Sequence, residues 1–190
     1  MALVLLAAPA IEPMAVSDAK AHLRIDTSAE DVLIASLILT SRLHIEAALG
    51  LALITQSWQL TLDTWPDGPA VALPLHPVSA ITSIQTTAAD GTTAPLPATA
   101  TLFDPGPPAR IVRTGPSWPR ITAAANGITV TFTAGFGPGA TDVPAPIRQA
   151  MLLLVAHWYE HRDPIEIGEP DTAIPKAVHD LLRPYRRPRL

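Results

Sequence analysis

The spacing of apolar residues changes twice along this chain, and the double switch limits the folds open to it. Between Ser28 and Gly50 the apolar positions recur at helical spacing: Leu33 with Leu37, Ile34 with Ile38, then Ile45 and Leu49. From Thr55 to Phe136 they alternate. Trp58, Leu60 and Leu62 are separated by Gln59 and Thr61, and Ile128, Val130 and Phe132 by Thr129 and Thr131, as in half-buried strands. Helical spacing returns at Pro144, where Ile147, Met151, Leu154, Val155 and Trp158 share one face. Helix, sheet and helix in one chain predict an α+β fold. The N- and C-terminal helices form a bundle, and a small antiparallel β lobe is inserted between them. The expected division is an N-terminal arm and helices over 1–54, the β lobe over 55–140, helices over 141–182, and an extended basic tail over 183–190.

Local signals refine this outline. Ser17 can cap a short helix reaching Arg24. Ser28 and Asp31 stand in capping-box spacing, so a helix of about six turns should start there and stop at Gly50. Val71–Leu75, Ile81–Thr86 and Ile111–Arg113 are further short strand candidates. Asp67-Gly68, Asp90-Gly91 and Asn126-Gly127 mark turns, the last fitted to close a hairpin. The prolines between Pro95 and Pro119 confine much of that stretch to loops or edges. Pro144 or Pro146 suits the first turn of a helix, which Asp163-Pro164 ends; Pro175 opens a last helix, stopped by Pro184. The apolar start, residues 1–10, has no cation before it and is too short to cross a bilayer, which takes about 20 residues. It reads as an extended arm or edge strand that packs on the fold or on a neighbour.

Composition excludes several functions. With no cysteine, disulfides and thiolate metal sites are ruled out. A net charge of −4 argues against tight sequence-specific nucleic-acid binding over the whole surface. The charge is uneven, since Arg183, Arg186, Arg187 and Arg189 crowd the last eight positions. Such a tail is suited to meeting a partner, and a nucleic-acid module working through these arginines is one reading of it.

One pattern could carry catalysis. His157-Trp158-Tyr159-Glu160-His161 has the H-x-x-E-H form, which places two imidazoles one turn apart and a carboxylate between them, as zinc hydrolysis needs. A third protein ligand is missing: Glu166, Glu169 and Asp171 lie in a proline-containing loop rather than on a second packed helix. The alternative reading is the polar end of a core helix with Trp158 buried. Ser17-Asp18-Ala19-Lys20 fits S-x-x-K without its companion motifs, and Lys20 reads as a helix-surface charge. Gly135-Phe136-Gly137-Pro138-Gly139 lacks the Lys-Ser/Thr of a phosphate loop and reads as a strand-to-helix corner. Trp58 and Trp118 have no basic surround and read as packing residues. The residues therefore indicate no enzyme, no cofactor and no metal site.

Several segments, in order, resemble one family. They are Ser17-Asp18-Ala19-Lys20-Ala21-His22-Leu23-Arg24-Ile25-Asp26 with Glu30-Asp31; Glu46-Ala47-Ala48-Leu49-Gly50 with Leu53-Ile54-Thr55-Gln56-Ser57-Trp58; Ala134-Gly135-Phe136-Gly137 with Val143-Pro144-Ala145-Pro146-Ile147-Arg148-Gln149-Ala150; Ala156-His157-Trp158-Tyr159-Glu160-His161-Arg162; and Leu181-Leu182-Arg183-Pro184-Tyr185-Arg186. Together they resemble the head–tail connector, or adaptor, proteins of long-tailed phages and gene transfer agents. The resemblance implies a structural protein of the virion or phage-like particle, made in the host cytoplasm and placed at the head–tail junction. It implies a homo-oligomeric ring, dodecameric in the family's usual form, that binds the portal protein and receives stopper or tail proteins. Packaged DNA would pass through the lumen without sequence-specific binding, and no membrane is involved. It further implies that the chain end, Arg183, Pro184, Tyr185, Arg186, Arg187, Pro188, Arg189 and Leu190, reaches the portal.

Overall fold

In the computed structural model, residues 1–161 and 174–186 are described. They form four α-helices and eight strands, an α+β chain as the two changes of period require. The chain divides into two units. One comprises Met1–Ala10 and Gly50–Phe136, the other Ile11–Leu49 and the chain from Gly137 onward.

The sheet unit contains β1 (Ala2–Ala7), β2 (Gln56–Leu62), β3 (Ala70–Ala72), β4 (Val78–Thr87), β5 (Thr93–Pro95), β6 (Thr101–Asp104), β7 (Arg110–Arg113) and β8 (Ile128–Ala134). Five strands run in the order β1-β2-β8-β4-β5 and three in the order β3-β7-β6, all pairs antiparallel. Alternation does its expected work in β8: Ile128, Val130, Phe132 and Ala134 are buried and the threonines between them are not. They share a core with Leu60 of β2, Val71 of β3 and Ile111 of β7, so both sheets bury one face in common. The first strand lies at the sheet edge, and its backbone hydrogen bonds are met by β2. Residues 1–10 therefore group with the sheet and not with the helices. Asn126-Gly127 closes no hairpin: β7 and β8, on either side of it, belong to different sheets. Asn126 instead has positive φ, and its N–H donates to Asp63 Oδ1 at 2.9 Å.

The helical unit contains α1 (Val16–Leu23), α2 (Asp31–Leu49), α3 (Ala145–Glu160) and α4 (Lys176–Leu182). Ile34, Ile38, Ile45 and Leu49 of α2 are buried, as are Ile147, Met151, Leu154 and Val155 of α3, and the two helices pack on each other. Two expected caps differ. Ser17 lies inside α1; the N–H of Ala15, just before the helix, donates to the Asp18 carboxylate at 3.1 Å instead. The α2 helix starts at Asp31, with Ser28 contributing its carbonyl to the preceding turn. Gly50 follows α2 with φ of +65°, the left-handed stop expected there. The third helix has already ended at Glu160, ahead of Asp163-Pro164, which lies outside the described residues. By length and composition alone α2 could cross a membrane, because its outward face is apolar too.

Candidate functional site

The H-x-x-E-H segment occupies the last turn of α3 and, at His161, its C-cap. The His157 and His161 rings are 4.7 Å apart between centroids. His161 is engaged by its own helix: its Nδ1 lies 2.8 Å from the His157 carbonyl oxygen, to which its backbone N–H also donates. The residues between the histidines join helices. Trp158 meets His44 of α2 edge-on, with centroids 5.8 Å apart and planes at 86°. The Tyr159 hydroxyl donates to the Glu30 carboxylate, immediately before α2. Trp158 is half-buried rather than buried, because it sits at the rim of this contact. Among the described residues no three His, Asp or Glu side chains are grouped to hold a metal ion. Glu166, Glu169 and Asp171 lie outside the described residues. The geometry of this segment is that of a helix clamp.

Two further clamps bind the same unit. Lys20 is not a solvated surface charge: its Nζ lies 2.8 Å from Asp31 Oδ1, with 18% of its side chain exposed, and ties α1 to the start of α2. Arg42 is deeper. Its Nε and Nη2 donate to the two oxygens of Glu12 at 2.7 and 3.2 Å, and its Nη1 donates to Glu46 at 2.8 Å. Burial works to lower the Arg42 pKa, but the hydrogen bond to Glu12 and the charges of Glu46 and Glu12 outweigh it and hold the guanidinium above its usual value. The four-residue spacing of Arg42 and Glu46 was a sequence signal for half of this cluster; nothing local pointed to Glu12.

The glycine corner is built for close approach of backbone. Gly135 has φ of +139°, and a Cβ there would lie 2.6 Å from the backbone of Ile54 and Thr55. Its N–H donates to the Pro77 carbonyl, and that of Phe136 to Leu53. A Cβ on Gly137 would lie 2.3 Å from the Asp142 carboxylate, which accepts from the Gly139 N–H. At Gly135 and Gly137 protein atoms fill the space a side chain would need. In the sheet unit, Trp118 stacks on Trp65 with centroids 4.3 Å apart, and both indole N–H groups donate to backbone carbonyls. Trp58 packs against the core. One face of Trp118 is thus taken by Trp65, and both Trp58 and Trp118 are partly buried against the sheet core.

At the C-terminal end, Arg183–Tyr185 continue α4 as a 3-10 turn, so the chain is not extended from Arg183. Pro184 is tolerated in the first turn of this short element, where a missing N–H costs little. Tyr185 is half-buried, Arg183 is exposed, and Arg186 Nη2 lies 3.2 Å from His179 Nδ1. Arg187, Pro188, Arg189 and Leu190 lie outside the described residues.

What the surface does offer is apolar area. Among the described residues, large exposed apolar side chains concentrate in two places, with only Leu102 apart from them. One is the N-terminal stretch, Met1, Val4, Leu5, Leu6 and Ile11; the other is the outward face of α2, Val32, Leu39 and Leu43.

Comparison with known proteins decides the family. The head completion protein family model matches residues 13–188. The chain belongs to this family. Among solved structures, a chain in the neck of an empty gene transfer agent particle, computed with C6 symmetry, is 30% identical with a TM-score of 0.87. A chain in the virion of the native gene transfer agent is 28% identical with a TM-score of 0.85. A chain in the native neck, computed with C12 symmetry, is 28% identical with a TM-score of 0.79. All three alignments cover 100% of this chain and 97% of the other. No curated protein sequence matches. The family and these neighbours are structural components of particles, in keeping with the clamp geometry of the histidine segment.

Proposed function

We propose that this chain is the head–tail connector of a phage or gene transfer agent particle, with no catalytic role. Copies of it form a ring below the portal, twelve in number, which extends the DNA channel and gives stopper or tail proteins a surface on which to assemble. The observation that carries this reading is end-to-end similarity to chains in gene transfer agent necks, one of them computed with C12 symmetry. The net charge of −4 supports passage of DNA without the counterion-release affinity of a strongly basic surface.

In this reading Arg183 to Leu190 grip the portal. Arginines offer planar donors for carboxylates and Tyr185 an aromatic anchor, both common at binding hot spots. The test is to mass purified portal rings with and without the protein. A gain of twelve subunits is expected, and no binding refutes the proposal. Deleting residues 186–190 keeps the half-buried Tyr185 and should leave the helical spectrum unchanged while giving tailless particles. Normal tail attachment would place the grip elsewhere.

A further inference from the structure

Two elements of this chain carry more apolar surface than the subunit buries. The first is α2. Its inward residues are packed, yet Val32, Leu39 and Leu43 are 86%, 41% and 51% exposed. At 100° per residue these three fall within about 40° of one another, a single stripe. The other exposed positions of the helix are Ala35, Ser36, Thr40, His44, Ala47 and Ala48, so its outward face carries no Asp, Glu, Lys or Arg. An uncharged outward face with a continuous apolar stripe along it is one suited to cover by a partner.

The second element is β1. Leu3 packs against the sheet core. Val4, Leu5 and Leu6 are 49%, 42% and 51% exposed, and the register with β2 breaks between Leu5 and Ala7, at Leu6. No charged residue lies in β1, and among the described residues its outer edge is unpaired because it ends the sheet. A strand written as a continuous apolar run is one covered on both faces, and proteins normally protect such an edge.

Ring closure explains why there are two such surfaces. A cyclic ring uses heterologous contacts, in which one patch of each subunit meets a different patch of the next. The two clusters are separate in sequence and lie in different elements. Their lengths agree: the stripe from Val32 to Leu43 spans about 16 Å at 1.5 Å per residue, and Ala2 to Ala7 about 17 Å at 3.4 Å per residue. Both are uncharged, which excludes a phosphate backbone as the occupant. We propose that the outward stripe of α2 in one copy is the seat for β1 of the neighbouring copy, and that this contact closes the ring. The inference rests on the ring reading given above and adds the surface that makes it.

A chain with no cysteine permits a clean test. Particles are assembled with Leu6→Cys, with Leu43→Cys, and with both, then oxidised and run on a non-reducing gel. The double variant should give a ladder of multimers. The two single variants should give monomers alone, and co-assembled with each other no more than dimers. Dimers from Leu43→Cys by itself would mean that like stripes meet across a two-fold, and would overturn the proposal. Particle-bound Leu43→Cys that is shielded from a thiol reagent while the double variant gives no ladder would assign the stripe to another neck protein, again overturning it. Electron microscopy of the same particles separates the two levels. Rings present without a ladder sink only this contact, whereas no ring at the neck sinks the reading beneath it as well. As a second measure, Leu43→Asp, at an exposed position, should keep the helical spectrum and lower ring incorporation at least tenfold. Unchanged incorporation contradicts the proposal.

Discussion

Replacing Arg42 with methionine should destabilise the helical unit by about 3 kcal/mol. Arg42 has 7% of its side chain exposed and holds two carboxylates, Glu12 at 32% and Glu46 at 10%. Methionine keeps much of the volume of the arginine stem, so the loss is electrostatic rather than a cavity. Breaking a buried pair by removing one partner costs about 3–5 kcal/mol, because the remaining charge stays desolvated. Glu12 can turn toward water, which leaves Glu46 as the main penalty and places the expected value at the lower end of that range. Glu46→Leu alone should cost about 1.5 kcal/mol, the value of a charge-assisted hydrogen bond, since Arg42 keeps Glu12. The double variant Arg42→Met/Glu46→Leu should lie within about 1 kcal/mol of wild type, as apolar replacements of buried pairs often do. The assay is urea unfolding followed by helical circular dichroism, which reports α1 to α4. A loss under about 1 kcal/mol for Arg42→Met, or a double variant no more stable than that single one, would refute the view that burial of charge sets the energetics here.

Gly135→Ala should cost more than about 3 kcal/mol, because strain in a region of φ that favours glycine adds to contacts with the Ile54–Thr55 backbone; the urea midpoint checks it. Trp118→Ala should cost about 2 kcal/mol, under the range for a fully buried aromatic, and the loss should show in Trp65 fluorescence as the stacked pair is broken. The Arg110 hydrogen bond, then the Gly106 N–H, holds the Asp104 carboxyl below its ordinary value. Its contribution is therefore present above the unfolded value of about 3.9 and lost as pH falls through the lower folded value. Asp104→Asn should thus be less stable than wild type at pH 7, with the gap closing in acid; a gap independent of pH down to pH 2 would contradict this.

The periodic segments were the legible part of the sequence. Threonine alternation marked β8 and the isoleucine spacing marked α2, because in each one face is buried by the element's own unit. Local dipeptides were less reliable. Asn126-Gly127 carries a hairpin signature, yet its flanking strands are claimed by different sheets, so tertiary pairing overrode local chemistry. Ser17 offered a hydroxyl cap, but the helix begins at Val16, so Ser17 falls inside its first turn and Asp18 accepts from the N–H of Ala15. Long-range pairs had no sequence signal at all: Glu12 with Arg42 and Glu30 with Tyr159 are 30 and 129 positions apart. In the histidine segment, the spacing fitted a zinc pattern, but the missing third ligand argued for the polar end of a core helix. The structure assigns Trp158 and Tyr159 to helix contacts, a role that any apolar or hydroxyl-bearing residue at those positions could have disguised.

The three passages of the chain between its units, after Ala10, Leu49 and Phe136, set an order of events during synthesis. The sheet is complete once residue 136 has left the ribosome. By then α1 and α2 have been made but lack α3, whose contacts with α2 bridge about a hundred positions of sequence and are slow to close. The inward apolar face of α2 thus stays open until α3 has been made. A prematurely ended product would carry a finished sheet and an unpaired helix, a species prone to aggregate rather than to assemble. The interleaving of the units therefore leaves the inward face of α2 without its packing partner until the chain beyond Phe136 has been made.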